Sequence, residues 1–266
     1  MQTIASVDGT RIAYEKTGEG PPLVLVHGTP DDHTYWETVQ PTLAKCCTVY
    51  SMDRRGRGQS GDAAEYRLEL EFADVAAVVD MIDQPVILLG HSYGGLIALE
   101  AALRTQNLSK LIVYEPPIFS EGQKSGGPLL ETLPKMEASL DEGKNDEALL
   151  LFAQDLLGMS SAEIESLRAS PYWQVMVNAA PTLPRELRAP AEYEFDASRF
   201  RELTVSTLLL SASESPTSLR EATNTLARSL ANSRVTVLDG QGHDAAQTAP
   251  DLFADEVLKF ARGLPG

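Results

Sequence analysis

The chain has 266 residues, with 22 Lys and Arg against 38 Asp and Glu and a formal net charge of −16, which argues against a nucleic-acid partner because such binding rests on neutralising phosphates. The length fits one large α/β domain, with or without an insertion. No stretch approaches a membrane span, the N-terminus lacks a basic region followed by an apolar one, and the two cysteines, Cys46 and Cys47, are adjacent; a soluble, cytoplasmic protein with no membrane partner, no disulfide framework and two small buried cysteines is expected.

Residues 3–7, the turn Asp8-Gly9 and residues 11–14 predict a β-hairpin, since Asp-Gly suits a turn with positive φ. Residues 23–26, Leu-Val-Leu-Val, are uniformly apolar rather than alternating, the pattern of a strand covered on both faces. His27-Gly28-Thr29-Pro30 follows, and Thr34 with Glu37 three residues on suggests a capping box for the next helix. A strand near 47–52 leads into Asp53-Arg54-Arg55-Gly56-Arg57-Gly58-Gln59-Ser60. Phe72, Val75, Val78, Val79 and Ile82 then mark one stripe of a helix over 70–82, closed by Pro85.

Residues 86–89 form a second buried-type strand that runs into Gly90-His91-Ser92-Tyr93-Gly94-Gly95, with a helical pattern from Leu96. Strand, sharp turn and helix place a serine at the apex, between glycines where the backbone crowds, as in a nucleophile elbow. The strand at 111–114 ends at Glu115-Pro116-Pro117. Residues 117–200 break the rhythm, with helical patterns over 147–157, 162–168 and 172–177 and many prolines. The sheet resumes at 207–210, followed by a helix over 218–230, a strand at 235–238 and a closing helix over 250–262. Strands alternating with helices predict an α/β fold: a mainly parallel, doubly wound sheet over 1–116 and 201–266, with a helical insertion at 117–200.

A serine hydroxyl needs a base to take its proton. His243 is the best of the four histidines. It lies in Asp239-Gly240-Gln241-Gly242-His243, on a glycine-rich loop at the C-terminal end of the last strand, where sites form in parallel α/β sheets. His27 is expected to orient its own turn and His33 to sit near a helix start, while His91 lies inside the elbow. The oxyanion of acyl transfer needs preorganised donors, expected from the backbone N–H groups of Tyr93 and Thr29, with Gly28 permitting close approach.

In this order, His27-Gly28-Thr29-Pro30, the segment from Asp53 to Ser60, Gly90-His91-Ser92-Tyr93-Gly94-Gly95 and Gly240-Gln241-Gly242-His243 resemble the α/β-hydrolase superfamily over nearly the whole chain. The resemblance implies that the insertion is a helical cap over the active site. It also implies that Asp53 and its arginines form a structural turn rather than a phosphate site. In most of the superfamily the acid is an aspartate after the strand that follows the cap. Here that loop reads Ser211-Ala212-Ser213-Glu214-Ser215-Pro216, and Ser215 falls in the acid's place. Glu115 is preferred instead, because its position resembles the acid site of the haloalkane-dehalogenase branch and of some cofactor-free esterases. Glu214, one residue out of place, is the alternative. The dehalogenase branch itself uses an aspartate nucleophile where this chain has Ser92.

The expectation is a serine hydrolase that cleaves a carboxylic ester or lactone, a small-molecule substrate, through an acyl-enzyme without metal or organic cofactor. Ser92 is the nucleophile, His243 the base, Glu115 or Glu214 the acid, and Thr29 and Tyr93 the oxyanion donors. C–C bond hydrolysis, perhydrolysis and a non-catalytic small-ligand receptor are the alternatives. Phe119, Leu149, Phe152, Trp173 and Met176 either line an apolar pocket or, as helical spacing more often means, form the cap's own core. Residues 122–127 suggest a hinge or a surface loop.

Overall fold

In the computed structural model, which describes residues 1–118 and 128–264, the apolar runs become the strands of one eight-stranded sheet. They are β1 (Gln2–Ala5), β2 (Arg11–Thr17), β3 (Pro22–Val26), β4 (Thr48–Met52), β5 (Val86–His91), β6 (Leu108–Tyr114), β7 (Ser206–Ala212) and β8 (Ser233–Leu238). Their order is β1-β2-β4-β3-β5-β6-β7-β8. The β1–β2 and β2–β4 pairs are antiparallel, and every pair from β4 to β8 is parallel.

Alternate residues of a strand point to opposite faces, so a run apolar at every position is stable only if both faces are covered. Val24, Val26, Leu88, Leu111, Val113 and Leu209 pack with α2 (Leu68–Asp80), α3 (Tyr93–Ala101) and α9 (Thr217–Ser229). Leu23, Leu25, Ile87, Leu89, Ile112 and Leu210 pack on the other face with α1 (Gln40–Leu43), α10 (Ala245–Thr248) and α11 (Pro250–Ala261). The stripe Phe72, Val75, Val78 and Val79 of α2 is buried in the first of these cores.

Between β6 and β7 the chain forms α4 (Pro128–Asp141), α5 (Asn145–Leu151), α6 (Ser161–Arg168), α7 (Tyr172–Ala179) and α8 (Leu183–Glu192). Leu149, Phe152, Trp173 and Met176 belong to a third cluster with Met136 and Leu183, so they serve as the insertion's own core. Phe119 and residues 122–127 lie outside the described residues. Beyond α8, Phe200 is fully buried in the first sheet core, with Tyr193 and Phe195 packed beside it.

Several local expectations change. No Thr34–Glu37 capping box forms. The carboxylate of Asp32 accepts both the Thr34 N–H (2.8 Å) and the Thr34 hydroxyl (2.5 Å), capping a 3₁₀ turn over His33–Trp36. The Thr34 hydroxyl is turned onto this charged acceptor, and the Glu37 N–H that it would have capped donates to Thr34 O (3.0 Å) instead. The helix expected over 147–157 stops at Leu151 and relaxes into a π turn at Phe152–Leu156. Helices α4 and α8 both contain an interior proline, Pro134 and Pro190, which is why the sequence pattern leaves them unmarked. Cys47 is buried, but Cys46 is half-exposed, its Sγ 2.9 Å from Arg262 Nη2.

Candidate active site

β5 ends in a turn that leaves Ser92 at φ 52°, ψ −124°, immediately before α3. Only glycine fits on either side. A Cβ on Gly90 would come within 2.2 Å of the Gly94 carbonyl oxygen, and one on Gly94 within 2.3 Å of that of His27. The Ser92 N–H donates to Tyr114 O (2.8 Å), tying the elbow to the end of β6. Glu115 follows with φ 43°, and it and Ser92 are the two non-glycine residues with positive φ among the described residues. Such conformations cost roughly 1–3 kcal/mol each and persist where the surroundings over-determine them, commonly at functional sites.

Glu115 is fully buried, and every lone-pair direction of its carboxylate finds a donor. Oε1 accepts from the Ala212 N–H (2.8 Å) and the Ser211 hydroxyl (3.2 Å); Oε2 accepts from the Ser215 hydroxyl (2.6 Å) and lies 2.8 Å from His243 Nδ1. Burial pushes its pKa up. The hydrogen bonds from His243, Ser215 and Ala212 outweigh burial and hold it below the usual carboxylate value. An ionised Glu115 makes Nδ1 of His243 the protonated nitrogen and leaves Nε2 with its lone pair. Glu214 is exposed, with its N–H on Gln241 O, and makes no hydrogen bond or ion pair with His243, whose Nδ1 faces Glu115.

The His243 loop is held from beneath. The Tyr114 hydroxyl donates to Gly242 O (2.6 Å), and His91 Nε2 lies 2.9 Å from His243 O. His91 stacks on Tyr35 at 4.9 Å, and burial followed by the neighbouring His243 lowers its pKa well below the ordinary value, so it is neutral. No hydrogen bond joins Ser92 Oγ to His243 in this conformation; His91, which precedes the serine, touches His243, their ring centroids 4.6 Å apart.

Opposite the elbow, the loop after β3 is pinned by buried charge. His27 Nδ1 donates to Gly28 O (2.9 Å), and His27 Nε2 accepts the Arg54 N–H (3.1 Å). Burial, then the Arg54 and Arg57 charges, drive the His27 pKa down to about 3. Arg54 pairs with Glu71 (2.8 Å) and Glu186 (2.8 Å), and Arg55 with Asp74 (2.7 Å). Arg57 Nη2 lies 2.7 Å from Glu186 Oε2 without the alignment of a hydrogen bond, so that contact is electrostatic. With these guanidiniums facing carboxylates, the segment from Asp53 to Ser60 is a structural turn. Neither the Thr29 nor the Tyr93 backbone N–H donates to another described residue.

Asp32, His33 and Asp53 are the one group of described His, Cys and carboxylate side chains close enough to share a metal ion. Their atoms are already engaged: His33 Nδ1 lies 2.7 Å from Asp53 Oδ1, Gln59 N–H binds Asp53 Oδ2 (2.8 Å), and Asp32 caps its turn. A surface groove of about 690 Å³ runs between α8 and α2, past Tyr66, Arg185 and Tyr193, and is lined by none of Ser92, Glu115 and His243.

The Alpha/beta hydrolase family model matches residues 23–256. The chain belongs to the α/β-hydrolase family. An α/β hydrolase from Sphaerobacter thermophilus DSM 20745 is 32% identical with a TM-score of 0.85, over 97% of this chain and 99% of that one. The esterase RhEst1 from Rhodococcus sp. ECU1013 is 25% identical with a TM-score of 0.76, over 99% of each chain. A non-heme haloperoxidase from Rhodococcus erythropolis is 25% identical, over 98% of this chain and 99% of that protein. Some curated relatives match only in part: an uncharacterized protein of Mycobacterium tuberculosis is 33% identical over 105 residues, 39% of this chain and 31% of its own length.

In this α/β hydrolase, Ser92, Tyr93, Glu115 and His243 gather at the C-terminal ends of β5, β6 and β8, with Thr29 after β3. The supporting residues Ser211, Ser215, Tyr114 and Glu186 carry no motif of their own, and Arg54 lies in the Asp53–Ser60 motif without any sign there of its partner Glu186. Ser215 alone had a usable signal, a small hydroxyl in the slot where a carboxylate is usual.

Proposed function

We propose that the protein is a serine hydrolase acting on a carboxylic ester or lactone. The observation that carries the reading is the buried Glu115 carboxylate 2.8 Å from His243 Nδ1, beside a serine on a strained elbow. Ser92 Oγ attacks the carbonyl carbon while His243 Nε2 takes its proton. The tetrahedral oxyanion is bound by the N–H groups of Tyr93 and Thr29. His243, held cationic beside Glu115, returns the proton to the leaving alcohol, and water repeats the cycle to release the acid. The serine–histidine hydrogen bond is often long without substrate and tightens on binding. The helical insertion acts as a cap over the site, and each proton has a protein group to carry it, so no metal or organic cofactor is needed.

Incubation with a fluorophosphonate and peptide mapping should place the adduct on Ser92, with turnover of short-chain p-nitrophenyl esters abolished in Ser92→Ala. Absence of label in folded protein would remove the hydrolase reading. The full-length likeness to a non-heme haloperoxidase favours a second fate for the same intermediate, release of the acyl group by hydrogen peroxide to give a peracid. Peracid formation in the presence of peroxide tests it.

A further inference from the structure

Glu186 belongs to α8 of the insertion and its side chain is fully buried, yet no step of the proposed reaction uses it. Its Oε2 accepts the Thr29 hydroxyl, and its Oε1 lies 2.8 Å from Arg54 Nη2 and 3.3 Å from Thr182 Oγ1. Arg54 in turn donates from Nη1 to Gly28 O (3.1 Å), and its guanidinium sits 4.5 Å from the centroid of the Tyr93 ring. One insertion carboxylate therefore reaches both segments that supply oxyanion donors. The Gly28–Thr29 peptide is trans, and in a trans peptide the C=O and N–H point in opposite directions. Holding the Gly28 carbonyl against Arg54 and His27 thus aims the Thr29 N–H away from them.

We propose that Glu186 is a positioning residue for the oxyanion hole, fixing the Gly28–Thr29 peptide through the Thr29 hydroxyl and through Arg54. The inference rests on the serine-hydrolase reading and deepens it: the insertion sets the competence of the site as well as its cover. A second insertion residue holds the far end of the same loop, where the Tyr172 hydroxyl donates to Asp31 Oδ1 (2.6 Å). The chemistry requires a carboxylate, because it accepts on both oxygens at once, whereas an amide must turn a donor toward either Arg54 or Thr29.

The test compares Thr29→Val, Thr29→Ser and Glu186→Gln for kcat and KM on a short-chain p-nitrophenyl ester, with melting temperature alongside. Losing a whole oxyanion donor costs about 10²–10³ in kcat, so a loosened one is expected to cost about tenfold. Thr29→Val should lose about that factor in kcat with KM within about twofold, and Thr29→Ser should recover most of it. Unchanged kcat in Thr29→Val, or an equal loss in Thr29→Ser, overturns the proposal, whatever happens to the melting temperature. If wild-type Ser92 takes no fluorophosphonate, the hydrolase reading fails separately. The coupling is then read without turnover from the amide ¹⁵N–¹H signal of Thr29, which should shift in folded Glu186→Gln and would contradict the proposal by staying in place.

Discussion

Glu115 occupies a backbone conformation that a β-carbon resists, at φ 43°, and its carboxylate is nonetheless saturated by Ser211, Ala212, Ser215 and His243. Hydrogen bonds to a buried charge, each worth about 1.5–3 kcal/mol, offset both the strain and the desolvation. Ser215, in the slot where the family resemblance leads one to expect the acid, donates its hydroxyl to Glu115 instead. A carboxylate at position 215 should therefore substitute: Glu115→Gln/Ser215→Asp is expected to recover at least about tenfold in kcat/KM over Glu115→Gln alone, measured on one ester. A double variant no faster than the single would place the charge requirement elsewhere. Asp31 gives a separate prediction. Burial drives its pKa up from 3.8 to about 7 against the Tyr172 hydrogen bond and the Arg57 charge, with Asp244 and Asp32 adding repulsion. The folded state then binds more protons than the unfolded one between pH 4 and 7, so this group's contribution to stability is full below about pH 4 and is lost as pH rises through about 7. Asp31→Asn should stabilise more at pH 8 than at pH 5, by on the order of 2 kcal/mol, in denaturant titrations; equal effects at the two pH values would contradict this.

At the scale of elements, the elbow and the uniformly apolar strands were legible because each has a strict local cause. A run such as Leu23-Val24-Leu25-Val26 has one stable environment, and Gly90 and Gly94 stand where a Cβ would overlap carbonyl oxygens. Gly94→Ala is expected to destabilise by about 3 kcal/mol or more, read as a fall in melting temperature. The choice between Glu115 and Glu214 was legible only by analogy of position, since no spacing rule says that a glutamate just after β6 reaches a histidine after β8. Helices α4 and α8 were not legible because Pro134 and Pro190 mask their periodicity. Glu186 was hidden for the same reason, its partners Thr29 and Arg54 lying more than a hundred residues away in sequence.

Across the whole molecule, among the described residues, the buried chain Glu71–Arg54–Glu186–Arg57 ties α2, on one face of the sheet, to α8 of the insertion. The net charge of −16 surrounds this body with a negative field that repels anionic substrates. Since the screening length falls to about 10 Å at 0.1 M salt, kcat/KM for an ester with an anionic acyl group should rise with ionic strength while a neutral ester stays flat; parallel responses would contradict it. In the proposed mechanism Ser92 is activated by His243 under the charge of Glu115. The most direct test is the rate of Ser92 phosphonylation by a fluorophosphonate in wild type, Glu115→Gln and Glu214→Gln, each shown to be folded. Glu115→Gln should lose about 10³–10⁴-fold, and Glu214→Gln should stay within about twofold of wild type. A large loss confined to Glu214→Gln, or equal rates in all three, would contradict that mechanism.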